Sequence, residues 1–135
     1  MKIAVIDGQG GGIGKSIIDK LKDNIDSSHE IIALGTNSTA TTGMIKAGAK
    51  CGATGENAIK VMSKKVDIIV GPLAIMVPDA MMGEITKEIA LSISSSEAKK
   101  ILLPLNKCNM VIAGIENIKL NKLIEIVVEE VLKEI

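Results

Sequence analysis

Apolar positions along this chain switch between two spacings. Short unbroken apolar runs alternate with stretches in which apolar residues recur every three or four positions. Lys2–Asp7 predicts a strand, and Ile13, Ile17, Ile18 and Leu21 form one stripe of a helix from about Ile13 to Asn24. After the turn Asp26-Ser27-Ser28, Glu30–Leu34 predicts a second strand. A polar loop, Gly35-Thr36-Asn37-Ser38, leads into a short helix from about Thr39 to Ala47, stopped by Gly48. Lys50–Gly55 reads as a loop, and a helix starting near Glu56 ends at Lys64-Lys65, charges that suit a helix C-terminus. Val66–Val70 predicts a third strand, closed by Gly71-Pro72, and Ala80–Ser92 a helix with Met81, Ile85, Ile89 and Ala90 facing inward. Strands over Lys100–Leu105 and Asn109–Ala113 are separated only by Asn106-Lys107-Cys108. That connection is too short for a helical crossover, so an antiparallel hairpin is expected at one side of the sheet. The last helix, about Leu120 to Lys133, repeats Leu120, Leu123, Ile124, Val127, Val131 and Leu132.

Strand–helix alternation with continuously apolar strands predicts a mostly parallel sheet covered on both faces. The fold class expected is therefore α/β: a single Rossmann-like three-layer domain over residues 1–135, with an antiparallel hairpin near the C-terminus. At 135 residues the chain can bury a proper core.

The turn after the first strand carries the most chemical information. Asp7 ends the strand, Gly8-Gln9-Gly10-Gly11-Gly12-Ile13-Gly14 follows, and Lys15-Ser16 opens the helix. A strand running through such a turn into a helix is how α/β proteins hold phosphates. Glycine lets the backbone approach the anion, and the helix start supplies unpaired N–H groups. The dinucleotide pattern G-x-G-x-x-G fails from Gly8, because Ile13 takes the last place. Gly8, Gly12, Ile13 and Gly14 resemble the short-chain dehydrogenase form G-x-x-x-G-I-G, yet the chain has no Tyr to serve as that family's catalytic residue. Gly14-Lys15-Ser16 resembles the ending of a P-loop, but Gln9 takes the place of its first glycine and no later strand ends in a metal-holding Asp. The acid that would bind an adenosine ribose at the end of the second strand is also missing, replaced by Gly35-Thr36-Asn37-Ser38.

Composition narrows the chemistry further. Sixteen basic and sixteen acidic residues balance, which removes the electrostatic case for nucleic-acid binding. The absence of Phe, Trp and Tyr excludes tyrosyl acid–base chemistry and any pocket that stacks a base on an aromatic ring. Gly71-Pro72 and Pro78-Asp79 interrupt the longest apolar run, so no membrane span is expected, and the lack of a basic leader suggests a cytoplasmic protein. Cys51 and Cys108 read as free thiols, and a single His29 in a solvated loop leaves no metal site to expect.

The residues expected to bind a nucleotide, with NAD(P) or another adenine nucleotide as the cofactor class, are Gly8 to Lys15, Thr36, Asn37, Gly71 and Pro72. Asp7 can bind a ribose hydroxyl, and its charge argues against close contact with a pyrophosphate. Glu56 is the candidate for acid–base work, with Asn57 beside it, although Glu56 also suits a helix start and Thr54 a cap. Residues 73–82 are too apolar for a solvated loop, and adjacent Met81 and Met82 cannot both face one neighbour across a helix. Either a ligand or a second subunit is expected to cover this segment, and a homodimer interface is the plainer of the two. Several stretches, Asp-Gly-Gln-Gly-Gly-Gly-Ile-Gly (7–14), Ala-Leu-Gly-Thr-Asn (33–37), Gly-Ala-Thr-Gly-Glu-Asn-Ala-Ile (52–59), Ile-Ile-Val-Gly-Pro (68–72) and Leu-Pro-Leu-Asn (103–106), resemble a small uncharacterised bacterial family, a domain of unknown function. That resemblance implies a short stand-alone protein and no activity. The expectation is a small nucleotide-binding or sensing module. The alternatives are an oxidoreductase or transferase completed by dimerisation, and a partner-binding protein whose glycine loop only packs.

Overall fold

The computed structural model describes residues 1–105 and 109–135. Five parallel strands form the sheet of the described residues: β1 (Lys2–Asp7), β2 (Glu30–Gly35), β3 (Cys51–Thr54), β4 (Ile68–Pro72) and β5 (Lys99–Leu103), in the order β3-β2-β1-β4-β5. The helices are α1 (Gly12–Lys22), α2 (Ser38–Ala47), α3 (Glu56–Met62), α4 (Lys87–Ser94) and α5 (Leu120–Glu134). Strands of two-residue period send alternate side chains to opposite faces. Thus Ile3 and Val5 of β1 join Ile17, Ile18, Leu21, Met44 and Val127 on the face covered by α1, α2 and α5. Ala4 and Ile6 join Ile59, Ile89 and Ile93 on the face covered by α3 and α4. Both layers are aliphatic, which is why the strands read as unbroken apolar runs.

Three expectations are corrected. The antiparallel hairpin does not form. β5 pairs in parallel with β4, with Ile68 opposite Lys99 and Pro72 opposite Leu103, and residues 109–113 carry no strand. Pro104 explains the stop, since it has no N–H to continue a ladder, and Asn109 adopts φ 55. The joining residues Asn106, Lys107 and Cys108 lie outside the described residues. Second, the loop expected over 50–55 contains β3, an edge strand whose half-exposed or exposed residues offered no apolar signal.

Third, the helix expected over 80–92 is a turn followed by the shorter α4. Gly83 interrupts it, and Thr86 caps α4 by accepting from the Ile89 N–H at 3.1 Å. The apolar segment 73–82 is covered largely from within. Ile75 and Ala80 are buried, while Ala74, Met76, Val77 and Met81 pack on the same cluster. Of the large hydrophobic side chains in that segment, Met82 is left bare, 96% exposed. Among the described residues no helix is long and apolar enough to cross a membrane.

Candidate functional site

Because every strand is parallel, the turns after β1, β2, β3 and β4 lie at one edge of the sheet. β1 leads to β2 on one side, whereas β4 lies on its other side, so the order reverses between β1 and β4. In open α/β sheets ligands sit outside the strand ends at such a reversal. A cavity of ≈300 Å³ opens there, lined by Asp7 at the end of β1, Gln9 and Ile13 from the glycine loop, Pro72 at the end of β4, and Met81 and Met110. Its walls are mainly aliphatic and thioether, with Asp7 and Gln9 as polar contributions.

Asp7 shapes the loop from inside. It is 4% exposed, and its two carboxylate oxygens accept from the Gly8 and Gly14 N–H groups, each at 2.8 Å. Its negative charge therefore meets the start of α1, where the helix dipole favours it. Gly11 precedes the helix at φ 70, a left-handed conformation that its place against Ala40 also keeps free of a side chain. The amides of Gly10, Gly12 and Ile13 have no hydrogen-bond acceptor among the described residues. A Cβ on Gly10 or Gly12 would meet nothing within 4 Å, so nothing in the packing requires glycine at either position.

A carboxylate from a later turn of the chain reaches the end of β2. Glu84 Oε1 accepts from the Thr36 hydroxyl at 2.6 Å, the Gln9 N–H at 2.9 Å and Asn37 Nδ2 at 2.9 Å. The Asn37 amide is fixed in this orientation because its oxygen caps α2, accepting from the Ala40 N–H at 2.9 Å, while its nitrogen also donates to the Gln9 carbonyl. The Thr36 hydroxyl bond, then the Gln9 amide and the Asn37 bond, hold the Glu84 carboxyl below the ordinary range against an opposing effect of burial. A depressed folded pKa adds stability that is complete above the unfolded value, about 4.3, and is lost as pH falls through the folded one. Unfolding by urea at pH 7 and pH 3 is thus expected to show Glu84→Gln losing less stability on acidification than wild type. Parallel losses would refute the contact.

Glu84 sits in a turn that includes Asp79 (φ 66), Met81 (φ 57), Met82 (φ 57) and Gly83 (φ 92). Left-handed conformations at non-glycine residues cost on the order of 1 kcal/mol or more each. Burial of Ala80 and Ile85 at either end, with the bond from Asp79 N–H to the Ile85 carbonyl at 2.7 Å, holds the turn closed. The sequence concealed Glu84 by placing it inside an expected helix. The signal available was Gly83 within that helical pattern.

The other expected site residues separate. Gln9, Ile13 and Pro72 line the cavity, whereas Thr36 and Asn37 face Glu84. Gly8 and Gly14 are packed against neighbours, and Gly71 is buried within β4. Gly10 and Lys15 line a separate open groove of ≈500 Å³ between α1 and α2, with Ser38, Thr39, Thr42 and Lys46. Neither of its lysines forms an ion pair among the described residues. Glu56 and Asn57 are exposed at the start of α3 and line neither space. Thr54 does not cap α3; its hydroxyl instead donates to the Thr41 hydroxyl at 2.8 Å. Cys51 is a free, exposed thiol.

A parallel sheet in this order, with a glycine-rich turn from its central strand into its first helix, defines a Rossmann-type α/β domain. The chain belongs to the family described as Domain of unknown function (DUF3842), whose model matches residues 2–135. Comparison with curated proteins and with solved structures gives no match.

Proposed function

We propose that the protein is a small binding or sensing module for a nucleotide or dinucleotide, with adenine nucleotides such as NAD(P) as the ligand class. The observation that carries this reading is the open rim of the glycine loop. Three amides there, of Gly10, Gly12 and Ile13, lack acceptors among the described residues, and both glycines face open space; Ile13 lines the cavity where the strand order reverses, and Gly10 the groove between α1 and α2. Free N–H groups at a helix start suit phosphate oxygens. The aliphatic cavity suits an uncharged ring, and at ≈300 Å³ it is large enough for a ring but not for a whole dinucleotide. The Asp7 charge opposes phosphate less than its position suggests, because both oxygens already face loop amides. An oxidoreductase or transferase drawing on Glu56 and Asn57 gains no support from residues that line neither space.

A thermal-unfolding screen tests the proposal, read by circular dichroism because the chain has no aromatic residue. NAD(H), NADP(H), ATP, GTP, FAD, coenzyme A and S-adenosylmethionine form the panel. A ligand at about a hundredfold over its dissociation constant adds about 2.7 kcal/mol. For a domain of this size that is a rise of roughly 10 °C in Tm. Gly12→Val, which places a side chain on the open rim, is expected to fold like wild type and lose the shift. Silence across the panel, or an undiminished shift in Gly12→Val, would refute binding at the loop.

A further inference from the structure

Glu84 stands at the edge of the sheet where a bound phosphate would meet the loop. Its three donors come from both sides of that position: the Gln9 amide after β1, and the Thr36 hydroxyl and Asn37 amide after β2. All three converge on Oε1, and Oε2 has no hydrogen-bond partner among the described residues. Three donors sharing one acceptor oxygen, with the second left over, are better matched by a group with more oxygens. The same turn also covers the loop. A Cβ on Gly8 would fall 2.7 Å from Met81 Sδ and 3.1 Å from Glu84 Oε1, so no phosphate fits between the turn and Gly8 as they stand. Neither cavity beside the loop is lined by Thr36, Asn37 or Glu84; the space at the end of β2 is filled by the chain itself.

We propose that the Gln9 N–H, the Thr36 hydroxyl and Asn37 Nδ2 form an anion subsite which the chain's own Glu84 carboxylate occupies until a phosphoryl group displaces it, lifting the turn over residues 79–84 off Gly8. The inference deepens the nucleotide-binding reading and rests on it for what displaces Glu84. Three features make this turn suited to release. It is held in left-handed conformations at Asp79, Met81 and Met82, Met82 already lies in solvent, and the Gln9–Glu84 bond is exposed. Its anchors, Ala80 and Ile85, belong to the face covered by α3 and α4, so the turn can open without disturbing α1.

The test compares wild type with Glu84→Ala, using inorganic pyrophosphate as the probe, acetate as a carboxylate stand-in, and the nucleotide panel. Glu84→Ala is expected to bind pyrophosphate at least tenfold more tightly than wild type. Acetate is expected to raise the Tm of the variant and leave wild type unchanged. Adding Thr36→Val to Glu84→Ala is expected to remove most of the gain. A folded Glu84→Ala with no gain for pyrophosphate overturns the subsite, and so does a gain that Thr36→Val leaves intact. Nucleotides bound equally by wild type and variant would sink the displacement while sparing nucleotide binding. A pyrophosphate gain with no nucleotide bound by either protein would have the reverse meaning.

If Glu84→Ala does not fold, amide hydrogen exchange on wild type decides the matter. Pyrophosphate at saturating concentration is expected to speed exchange across residues 79–85. Binding that leaves those amides as protected as before overturns the proposal.

Discussion

Asp7→Asn is expected to cost about 2–3 kcal/mol of folding stability although it changes a single atom of the side chain. Both Asp7 oxygens accept loop amides at 2.8 Å, in a position only 4% exposed. An asparagine offers one acceptor and turns an NH2 group toward the other amide, setting donor against donor. Hydrogen bonds to a buried charge contribute about 1.5–3 kcal/mol, and an orphaned buried donor costs about 1–3 kcal/mol. The lost carboxylate also ceases to complement the dipole of α1. Urea unfolding followed by circular dichroism measures the effect, and a loss below about 0.5 kcal/mol would show that the loop does not depend on Asp7. The same variant removes a charge from the cavity. If nucleotide binding is measured on it, a weaker complex reports the collapse of the loop and a tighter one reports relief of repulsion.

Gly71→Ala is expected to be at least as damaging, about 3 kcal/mol or more, for a reason that has nothing to do with ligands. Gly71 belongs to β4 beside β1, where Val5 pairs with Val70. A Cβ there would press on the Ile6 carbonyl oxygen, well inside van der Waals contact, and reach Ile75 Cδ1 at 3.1 Å. A backbone oxygen in the central strand cannot retreat without parting the sheet, so this is overpacking of the severe kind. Gly12→Ala, at an open position, is expected within about 0.5 kcal/mol of wild type. Chemical denaturation of the two variants side by side separates glycines that the fold needs from those it does not. Similar costs for both would contradict the geometry.

The residues differ in how openly they announced these roles. Ile3–Ile6, Ile31–Leu34 and Ile68–Val70 read as strands because they are covered on both faces, and nothing but aliphatic burial is required of them. The Cys51–Thr54 strand did not, since an edge strand with little burial needs no apolar pattern. The apolar look of Asn109–Ala113 misled in the opposite direction, with Val111 87% exposed and Pro104 already ending the ladder before it. At the site, the glycine loop was plain from spacing alone, whereas its division into packed and open glycines depends on neighbours such as Met44 and Ala40 that are remote in sequence. Asp7 could be placed beside the loop but not oriented. Glu84 was out of reach altogether. Its role arises from hydrogen bonds to Gln9, Thr36 and Asn37 that exist only after residues far apart in the chain have been brought together.

The wholly parallel pairing also determines how this chain must assemble. No two neighbouring strands can meet through a tight turn, and β1, the central strand, pairs on one side with β2 and on the other with β4, where Ile3 faces Ile68. During synthesis β1, β2 and β3 therefore emerge while one edge of β1 is still bare, and that edge stays open until residues 68–72 leave the ribosome. Such long closures make folding slow for a domain of this size. Until β4 arrives, an aliphatic strand with unpaired amides and carbonyls stands open to neighbouring chains, and it is there that a nascent copy of this protein is most exposed to aggregation.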